Sequence, residues 1–366
     1  MANFARAVPL EERKARKQRA KQRKATRSDG GRSRTRYEEE SDWDELEEFE
    51  AMGPRSSRAP IAAARADAAG QGEGSEGLVV GIERNGARVA CGDEVRPMAL
   101  GPEDDLAVGD GVEVREAAPG QLRLVRRLER HSVLARADPS RPGQGRVLAA
   151  NVDLALVVLS VVGPPFKPGL FDRFQVALTA GGIEPLLVVN KLDLLTERTG
   201  REDLERQLAP YAAAGAAIHR VSTASGLGID GLRAAVAGRT LVAVGHSGVG
   251  KSSLLNALDG SGVARAVGPV RASDGKGRHT TTSSELRQLP GDTRLIDTPG
   301  IRSLGLLAEQ LASLDEAYPE VAAFALSCRF ADCRHALEPD CAVRAALERG
   351  ELPLERWQAY ARLRGG

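Results

Sequence analysis

Hydrophobic and polar residues change their pattern twice along the chain, and these changes divide it into three predicted regions. From Gly77, short runs of alternating apolar and polar residues are separated by Asn-Gly, Gly-Asp and Pro-Gly turns. From Asp153, unbroken apolar runs alternate with segments of helical period, and after Ile301 the helical period continues alone. The pattern predicts a small β-barrel, then an α/β sheet, then a helical region.

The first region predicts a closed barrel, because short strands with closely spaced turns are typical of small closed sheets. We expect about five strands over residues 77–135, and the oligonucleotide-binding (OB) barrel is one member of this class. The clearest strand candidates are Leu78–Ile82, Ala87–Cys91, Gly111–Arg115 and Gln121–Leu128. Basic side chains cluster near the end of the barrel at Arg123, Arg126, Arg127 and Arg130. They form either an RNA-binding face or ordinary solvent-facing positions of a strand.

The middle region predicts a doubly wound α/β sheet, since buried strands there alternate with helices. The strand candidates are Asp153–Val162, Glu184–Asn190, Ala216–Val221, Thr240–Gly245, Glu285–Leu289 and Arg294–Asp297. The helix candidates are Leu170–Ala180, Glu202–Ala214, Ile229–Ala237 and Lys251–Leu258. Such sheets bind ligands beyond the carboxyl ends of their strands, so residues that directly follow a strand are candidates for a site.

The net charge of +1 hides two opposed blocks at the N-terminus. Residues 1–36 carry thirteen Lys and Arg against three acidic residues, and residues 38–50 carry nine acidic residues and no basic one. Neither block has an apolar face of helical period, so residues 1–76 are predicted to be a disordered extension and linker. The basic arm either holds nucleic acid through its phosphates or folds back on the acidic block.

Membrane and secreted classes do not fit the composition. No apolar stretch has the length that spans a bilayer, and the charged N-terminus lacks the apolar segment of a secretory signal. Three of the four cysteines are crowded between residues 328 and 341, which is not a secreted disulfide framework. We therefore expect a cytoplasmic protein without a membrane partner.

A glycine-rich string follows the apolar run Leu241–Val244 and precedes a helical segment. It reads Gly-x4-Gly-Lys-Ser, the P-loop pattern, in which backbone N–H groups and a helix N-terminus bind phosphate oxygens. Lys251 would reach the β- and γ-phosphates, and the Ser252 hydroxyl would ligate Mg²⁺. The predicted phosphate-binding residues are Gly245, His246, Ser247, Gly248, Val249, Gly250, Lys251, Ser252 and Ser253.

An earlier strand ends in Asn190-Lys191-Leu192-Asp193, which has the form of a guanine-reading motif. Asp193 can accept hydrogen bonds from N1–H and the exocyclic amine of guanine, a pattern of donors that adenine lacks. Asn190 can support O6 and the neighbouring loop, and the Lys191 stem can pack over the ring. Ser222, which also follows a strand, would supply a backbone contact to the base edge.

The order of these two strings is inverted. Guanine nucleotide-binding domains ordinarily place the P-loop first and the base reader near the end, whereas here residue 190 precedes residue 245. We therefore expect a circularly permuted domain. Permutation keeps a folded site intact when the original termini lie close together.

Two further segments predict contacts to Mg²⁺ and the γ-phosphate. Asp297 ends a strand and begins the string Asp-Thr-Pro-Gly, so it suits indirect Mg²⁺ coordination, while the Gly300 N–H can approach the γ-phosphate. A glycine-rich loop that ends in three threonines suits a switch segment, and we expect Thr281 to complete the Mg²⁺ shell. An ordinary polar loop is the alternative interpretation of this segment.

The helical region contains three cysteines and one histidine within fourteen residues, at Cys328, Cys333, His335 and Cys341. Three thiolates and an imidazole make a complete tetrahedral ligand set for one structural zinc, with no open position for catalysis. Cys91 lies far away in the β region and is expected to be a small core residue.

Together, the motif order, the Gly-Arg-His-Thr-Thr-Thr loop, the cysteine cluster and the leading β region resemble one family, the ribosome small subunit-dependent GTPase A family (RsgA/YjeQ) of circularly permuted bacterial GTPases. The resemblance covers about residues 75–365. It implies an OB-fold domain over 77–135, a permuted GTPase domain over 145–305 and a helical zinc-binding domain over 306–366. It also implies late action in 30S maturation, hydrolysis stimulated by that subunit, and contact with 16S rRNA.

One position concerns the hydrolytic step. Many GTPases carry a glutamine after Asp-x-x-Gly that orients the attacking water, whereas this chain has Ile301. Isoleucine cannot hydrogen-bond water, so we expect slow intrinsic hydrolysis. By the resemblance, His279 matches a family position that contributes to catalysis, and stabilising the loop is its alternative role.

We therefore predict a monomeric GTPase of three domains that converts GTP to GDP and phosphate. One alternative is a nucleotide-gated rRNA-binding switch in which hydrolysis is incidental. Another is a P-loop kinase or ATPase, against which the guanine-reading motif argues. Because the chain leaves the permuted domain at Gly300, we expect nucleotide state to pass from there into the helices that carry the cysteine cluster.

Overall fold

The computed structural model describes residues 74–83, 86–101, 104–137, 145–163, 166–260, 284–297, 306–307 and 309–365. The strands are numbered in chain order: β1 Ser75–Glu83, β2 Gly86–Cys91, β3 Glu94–Ala99, β4 Gly111–Ala118, β5 Gln121–Arg127, β6 Val133–Ala137, β7 Gly145–Ala150, β8 Leu154–Ser160, β9 Glu184–Asn190, β10 Ile218–Arg220, β11 Thr240–Val244, β12 Ser284–Leu289 and β13 Thr293–Asp297. The α-helices are α1 Pro168–Ala180, α2 Arg198–Ala213, α3 Ile229–Val236, α4 Lys251–Asp259, α5 Leu314–Ala317, α6 Pro319–Ala325, α7 Ala342–Glu348 and α8 Leu354–Leu363. Short 3₁₀ turns lie at Leu192–Leu194 and Gln310–Ser313.

Strands β1 to β5 close into a barrel. They pair in the order β1-β2-β3-β5-β4, and β4 returns to pair with β1. Alternate positions point inward, so that Val79, Val89, Val112 and Val114 are all 0% exposed in the barrel core. The prediction of a five-stranded barrel is confirmed, although β3 was not among the strand candidates.

Strands β8 to β13 form the α/β sheet, in the order β10-β9-β8-β11-β13-β12. All neighbouring pairs are parallel except β12 with β13. Every residue of β8 is buried, because helices cover both faces of the sheet. Helices α1 and α2 bury apolar side chains on one face, and α3 and α4 do so on the other. The predicted doubly wound sheet is confirmed.

The barrel and the α/β sheet are joined edge to edge. Strand β1 pairs antiparallel with β12, with Gly81 opposite Glu285 and Ile82 opposite Ser284. A hairpin of β6 and β7, which was not predicted, connects the two parts along the chain. The Val133 N–H donates to the Gly181 carbonyl after α1, and the Ala150 N–H donates to Val108 of the barrel.

The C-terminal helices form a separate apolar cluster around Tyr318, Val321, Val343 and Tyr360. Val176 of α1 is buried in the same cluster, so the helical region packs directly against the α/β sheet's own helix. Among the described residues, no helix has both the length and the apolar character needed to cross a membrane.

Candidate nucleotide site and metal cluster

The predicted nucleotide-binding strings meet at one edge of the α/β sheet. Asn190 at the end of β9 lies opposite Ser160 of β8, and Val244 at the end of β11 lies opposite Val157 of β8. The chain order reverses between β8 and β11, since β9 and β10 lie on one side of β8 and β11 lies on the other. A doubly wound sheet binds its ligand at such a switch point, outside the carboxyl ends of the strands.

The P-loop is shaped by three glycines with positive φ. Gly245, Gly248 and Gly250 have φ of 136°, 84° and 93°, a region that residues with a Cβ rarely adopt. A methyl group on Gly245 would also lie 2.2 Å from the carbonyl oxygen of Val158. Helix α4 begins directly after Gly250, so its first N–H groups face the space enclosed by the loop.

Three polar side chains lie at the start of α4, directly after the P-loop glycines. The Lys251 Nζ donates to the carbonyls of Gly245 and His246, at 2.6 Å each, which holds the ammonium across the loop. Ser252 is exposed and Ser253 is half-buried at the start of α4. A cation and a helix N-terminus concentrate positive charge at this point, as an anion-binding site requires.

Asn190 ties the base reader to the P-loop. It is fully buried, and its Nδ2 donates to the Val249 carbonyl at 3.0 Å. Its Oδ1 accepts from the backbone N–H of Lys191 at 2.8 Å and of Thr223 at 3.4 Å. The two strings that are inverted in the sequence are therefore in direct contact in the fold.

Asp193 and Ser222 form the second contact of this edge. The Ser222 hydroxyl donates to Asp193 Oδ1 at 2.5 Å and accepts from the Ser225 N–H at 3.2 Å. Lys191 has φ of 65°, and its Nζ donates to the carbonyls of Val162 and Gly163 at 3.2 and 3.1 Å. These bonds hold the Asp193 loop beside the end of β8. The Val162–Gly163 loop was missed by sequence reasoning, although it directly follows a buried strand.

Asp297 lies half-buried at the end of β13, the neighbour of β11. It is therefore at the same edge of the sheet as the P-loop. The other residues predicted for Mg²⁺, γ-phosphate and catalysis lie outside the described residues, namely Thr281, Gly300 and His279.

The four predicted metal ligands converge. Their ligand atoms all lie within 4.8 Å of one another. The Cys328 and Cys341 sulfurs are 3.9 Å apart, and each lies 3.5 Å from His335 Nδ1. Tetrahedral zinc with Zn–S of about 2.3 Å and Zn–N of about 2.0 Å requires separations of about 3.8 and about 3.6 Å. The separations among Cys328, His335 and Cys341 match these values, and the Cys333 sulfur lies within 4.8 Å of the other three ligand atoms. Burial also lowers the pKa of His335, which favours the neutral imidazole that binds metal.

Glu338, which sequence reasoning missed, orders the loop that carries His335. Its carboxylate accepts from the backbone N–H groups of Arg334, Ala336 and Leu337 at 2.8 to 3.0 Å. The backbone N–H of Glu338 itself, followed by those of Arg334, Ala336 and Leu337, lowers the pKa of this carboxyl group to about 2. The bonds stabilise a loop in which His335 has a left-handed φ of 61°. In the sequence, the only indication of this role is that an acidic residue follows the histidine by three positions.

The arginines of the barrel have different surroundings. The Arg130 side chain is 8% exposed, and its Nε donates to Asp110 Oδ1 at 2.6 Å, so it belongs to the fold. Arg126 is exposed and donates to Glu113 at 2.6 Å. Arg123 and Arg127 are exposed and remain candidates for nucleic-acid contacts. Cys91 packs against the barrel core.

Comparisons with known proteins agree with this geometry. A family model described as the RsgA GTPase matches residues 127–307. The small ribosomal subunit biogenesis GTPase RsgA of Chromohalobacter salexigens is 43% identical over 263 residues, which cover 72% of this chain and 76% of that protein. The protein of the same name from Streptomyces avermitilis is 40% identical over 301 residues, which cover 79% and 80% of the two chains.

Two solved structures share the fold. The crystal structure of YjeQ from Thermotoga maritima aligns with a TM-score of 0.61 at 26% identity, over 80% of this chain and 100% of that one. The structure of YloQ, described as a circularly permuted GTPase, aligns with a TM-score of 0.62 at 24% identity, over 81% and 96% of the chains. The inverted motif order therefore has a structural counterpart.

Proposed function

Because this chain belongs to the RsgA GTPase family, and is therefore a GTP hydrolase of small ribosomal subunit biogenesis, we propose that it binds the 30S subunit and acts late in its maturation. The names of the relatives support the ribosomal part of the proposal, and one observation carries its GTP-binding part: the buried Asn190 amide joins the guanine-reading motif to the P-loop at Val249. A site that holds phosphate and reads guanine in one constellation is suited to GTP.

The phosphates of GTP are bound by the P-loop residues Gly245 to Ser253, with Lys251 at the β- and γ-phosphates. Support comes from the three positive-φ glycines and from the helix that starts at Lys251. The hydroxyl of Ser252 and the carboxylate of Asp297 offer the oxygen ligands that Mg²⁺ prefers. Thr281 would add another oxygen, and the Gly300 N–H would contact the γ-phosphate.

Guanine is read by Asp193. Its Oδ1 already accepts from Ser222, which orients the carboxylate without using all of its acceptor sites. The remaining sites can accept from N1–H and the exocyclic amine of the base. Adenine would leave this carboxylate without these hydrogen bonds, and the resulting loss of binding free energy excludes adenine nucleotides.

Hydrolysis depends on the subunit in this proposal. The chain has Ile301 where many GTPases carry the water-orienting glutamine, so the free protein lacks one catalytic group. His279, which precedes β12 in the sequence, is our candidate for positioning the water once the subunit is bound.

We assign one structural zinc to Cys328, Cys333, His335 and Cys341. The sulfur and nitrogen separations fit tetrahedral coordination, and four protein ligands leave no position for substrate. Zinc would cross-link the loop that carries Cys333 and His335 to the start of α7, and it would supply no reaction chemistry.

The protein holds rRNA with its barrel, where Arg123 and Arg127 are exposed, and works as a cytoplasmic monomer.

Co-sedimentation tests the proposed partner. The full chain is incubated with purified 30S or 50S subunits, together with a non-hydrolysable GTP analogue or GDP, and pelleted. We expect retention on 30S with the analogue and release with GDP. Equal retention on both subunits, or none with either nucleotide, would contradict the proposal.

The variant His279→Ala distinguishes a GTPase whose hydrolysis drives maturation from a nucleotide-gated switch in which hydrolysis is incidental. If hydrolysis is the working step, a variant that binds GTP but turns it over slowly should leave 30S maturation incomplete. Complete maturation with a hydrolysis-defective protein would favour the switch, because the GTP-bound state alone would then suffice.

A further inference from the structure

A buried arginine lies between the helical region and the α/β sheet. Arg356 of α8 is 1% exposed. Its Nη1 donates to Asp172 of α1 at 2.9 Å and to Gln175 at 3.3 Å, and its Nε donates to Glu320 of α6 at 2.7 Å. One guanidinium group therefore holds carboxylates from two regions that are far apart in the sequence.

Aromatic rings complete its surroundings. The guanidinium carbon lies 4.2 Å from the ring centroid of Tyr318 and 4.9 Å from that of Tyr211 on α2. The Tyr211 hydroxyl donates to the other oxygen of Asp172 at 3.0 Å. A planar, delocalised cation with forked donors suits this site, and lysine could not reproduce both the stacking and the paired hydrogen bonds.

This network is not explained by stability alone. Burying a charge costs free energy that its partner only partly returns, and apolar side chains of similar volume are often at least as stable. Burial raises the pKa of Asp172 even though Arg356 opposes this effect, whereas Glu320 and Asp172 raise the pKa of Arg356 despite its burial, so the site favours the charged arginine but not the charged Asp172 carboxylate. Buried ionic groups can instead select one packing geometry among several apolar ones.

The residues around Arg356 belong to helices that adjoin the nucleotide edge and the metal cluster. On one side, α1 follows the Val162–Gly163 loop, whose carbonyls accept from Lys191 of the base reader. On the other side, Trp357 follows Arg356, and its ring centroid lies 6.0 Å from that of the metal-cluster residue His335. Arg356 thus joins a helix that follows the nucleotide edge in the sequence to a helix whose Trp357 lies beside the metal cluster.

We propose that Arg356 is a positioning residue that fixes the metal-bearing helical region on the GTPase sheet, so that both engage the small subunit as one rigid unit. The inference rests on the proposed 30S partner. When two docking surfaces are held rigidly, the second contact is intramolecular, and loosening the link lowers overall affinity although every contact residue is intact.

Distance measurements test the rigid link without reference to activity. Spin labels are placed at Asp230→Cys, whose side chain is 98% exposed, and at Leu326→Cys, which is 90% exposed, in the zinc-loaded Cys91→Ser protein. Double electron–electron resonance should give one narrow distribution of distances between the two labels. Arg356→Met should broaden it, and the matched control Arg349→Met, which loses only an exposed pair with Glu351, should not.

Arg356→Met leaves Asp172 and Glu320 without their cation and could unfold, so Asp172→Asn/Glu320→Gln/Arg356→Met, in which both buried acids are neutral, serves as the second variant. It removes both carboxylate charges while an amide oxygen remains for Tyr211 to donate to. We expect this variant to fold, to keep wild-type basal GTP hydrolysis, and to show the broadened distribution.

The same variants are then titrated with 30S subunits while GTP hydrolysis is followed. The subunit concentration for half-maximal stimulation should rise about tenfold or more, with basal turnover and nucleotide affinity unchanged. A narrow distribution and an unchanged half-maximal concentration in the second variant would overturn the positioning role. If the wild type itself is not stimulated, the proposed 30S partner fails instead.

Discussion

At the scale of single residues, the side chains of the nucleotide edge are held by their neighbours before any ligand is considered. Asn190 is buried against the P-loop, Asp193 accepts from Ser222, and Lys191 reaches across to the end of β8. Such fixed geometry lowers the cost of ordering the site when a nucleotide binds. The chemical type of these residues was predictable from the motif, whereas their mutual contacts required the fold.

Exchanging Asp193 for asparagine should change the base that is bound. An amide presents a donor where xanthine has an acceptor, so GTP affinity should fall by at least about a hundredfold while affinity for xanthosine triphosphate rises. The carbonyl oxygen of the introduced amide can still accept from Ser222, so the loop should keep its shape. Competition binding with both nucleotides measures the change. Unchanged GTP selectivity would mean that another group reads the base.

Loss of one cluster ligand should release the metal. Purified protein is expected to contain about one equivalent of zinc, and Cys333→Ser should lose it, because three ligands no longer close the tetrahedral shell. Cys91→Ser is the matched control, since Cys91 lies half-buried in the barrel. Metal analysis that finds zinc retained in Cys333→Ser, or none in the wild type, would refute the assignment.

At the scale of elements, every long apolar run corresponds to a strand, whereas β3, β6 and β7, whose patterns are weak, were not predicted. Strand β8 has six consecutive apolar residues before Ser160, and all seven residues are buried, so the apolar run identified it. Strand β3 was missed because it contains Pro97 and exposes Val95, which breaks the alternation. The β6–β7 hairpin has short apolar runs separated by a polar segment, and its pairing depends on contacts with the barrel and α1. Tertiary contacts decided these cases.

Alanine substitutions of a P-loop glycine and of a helix glycine should have opposite effects on the protein. Gly245→Ala should disrupt the loop and abolish measurable GTP binding, because the methyl group meets Val158 at 2.2 Å and φ is 136°. Gly231→Ala in α3 meets nothing within 4 Å and should stabilise the protein by about 0.5–1 kcal/mol. Thermal unfolding and nucleotide titration distinguish the two. Normal GTP affinity in Gly245→Ala would show that the loop tolerates a different backbone geometry.

Removing the Glu338 carboxylate should make the protein lose its metal faster. Glu338→Ala deletes the acceptor for three backbone N–H groups beside His335, and we expect zinc affinity to fall about tenfold. Since the pKa of Glu338 is lowered from its ordinary value of 4.5 to about 2, the loop stabilisation is complete above about pH 4.5 and is lost only as pH falls toward 2. The variant's effect should therefore be constant between about pH 6 and about pH 8.

Chelator-driven zinc release from Glu338→Ala, followed with a colorimetric indicator, checks this expectation. Glu351→Ala, which removes an exposed carboxylate paired with Arg349, is the control. Equal release rates in both variants would mean that the Glu338 contacts do not support the cluster.

At the scale of the whole molecule, circular permutation changes the connections of the domain and leaves its site intact. The base reader and P-loop are adjacent in the fold although the chain supplies them in inverted order. Nucleotide state was expected to pass into the helical region through the segment after Gly300, which lies outside the described residues. The contacts of Arg356 provide a second, packed connection between the same parts. That connection was invisible in the sequence, because Asp172 and Arg356 are 184 positions apart.

The rate of GTP hydrolysis with and without purified 30S subunits tests the central claim most directly. The free protein should hydrolyse GTP slowly, because it lacks the water-orienting glutamine, and saturating 30S should raise the turnover number by at least about a hundredfold. Large subunits at the same concentration should have no effect. A turnover number that is equally high without 30S, or that 50S stimulates as strongly, would contradict the account.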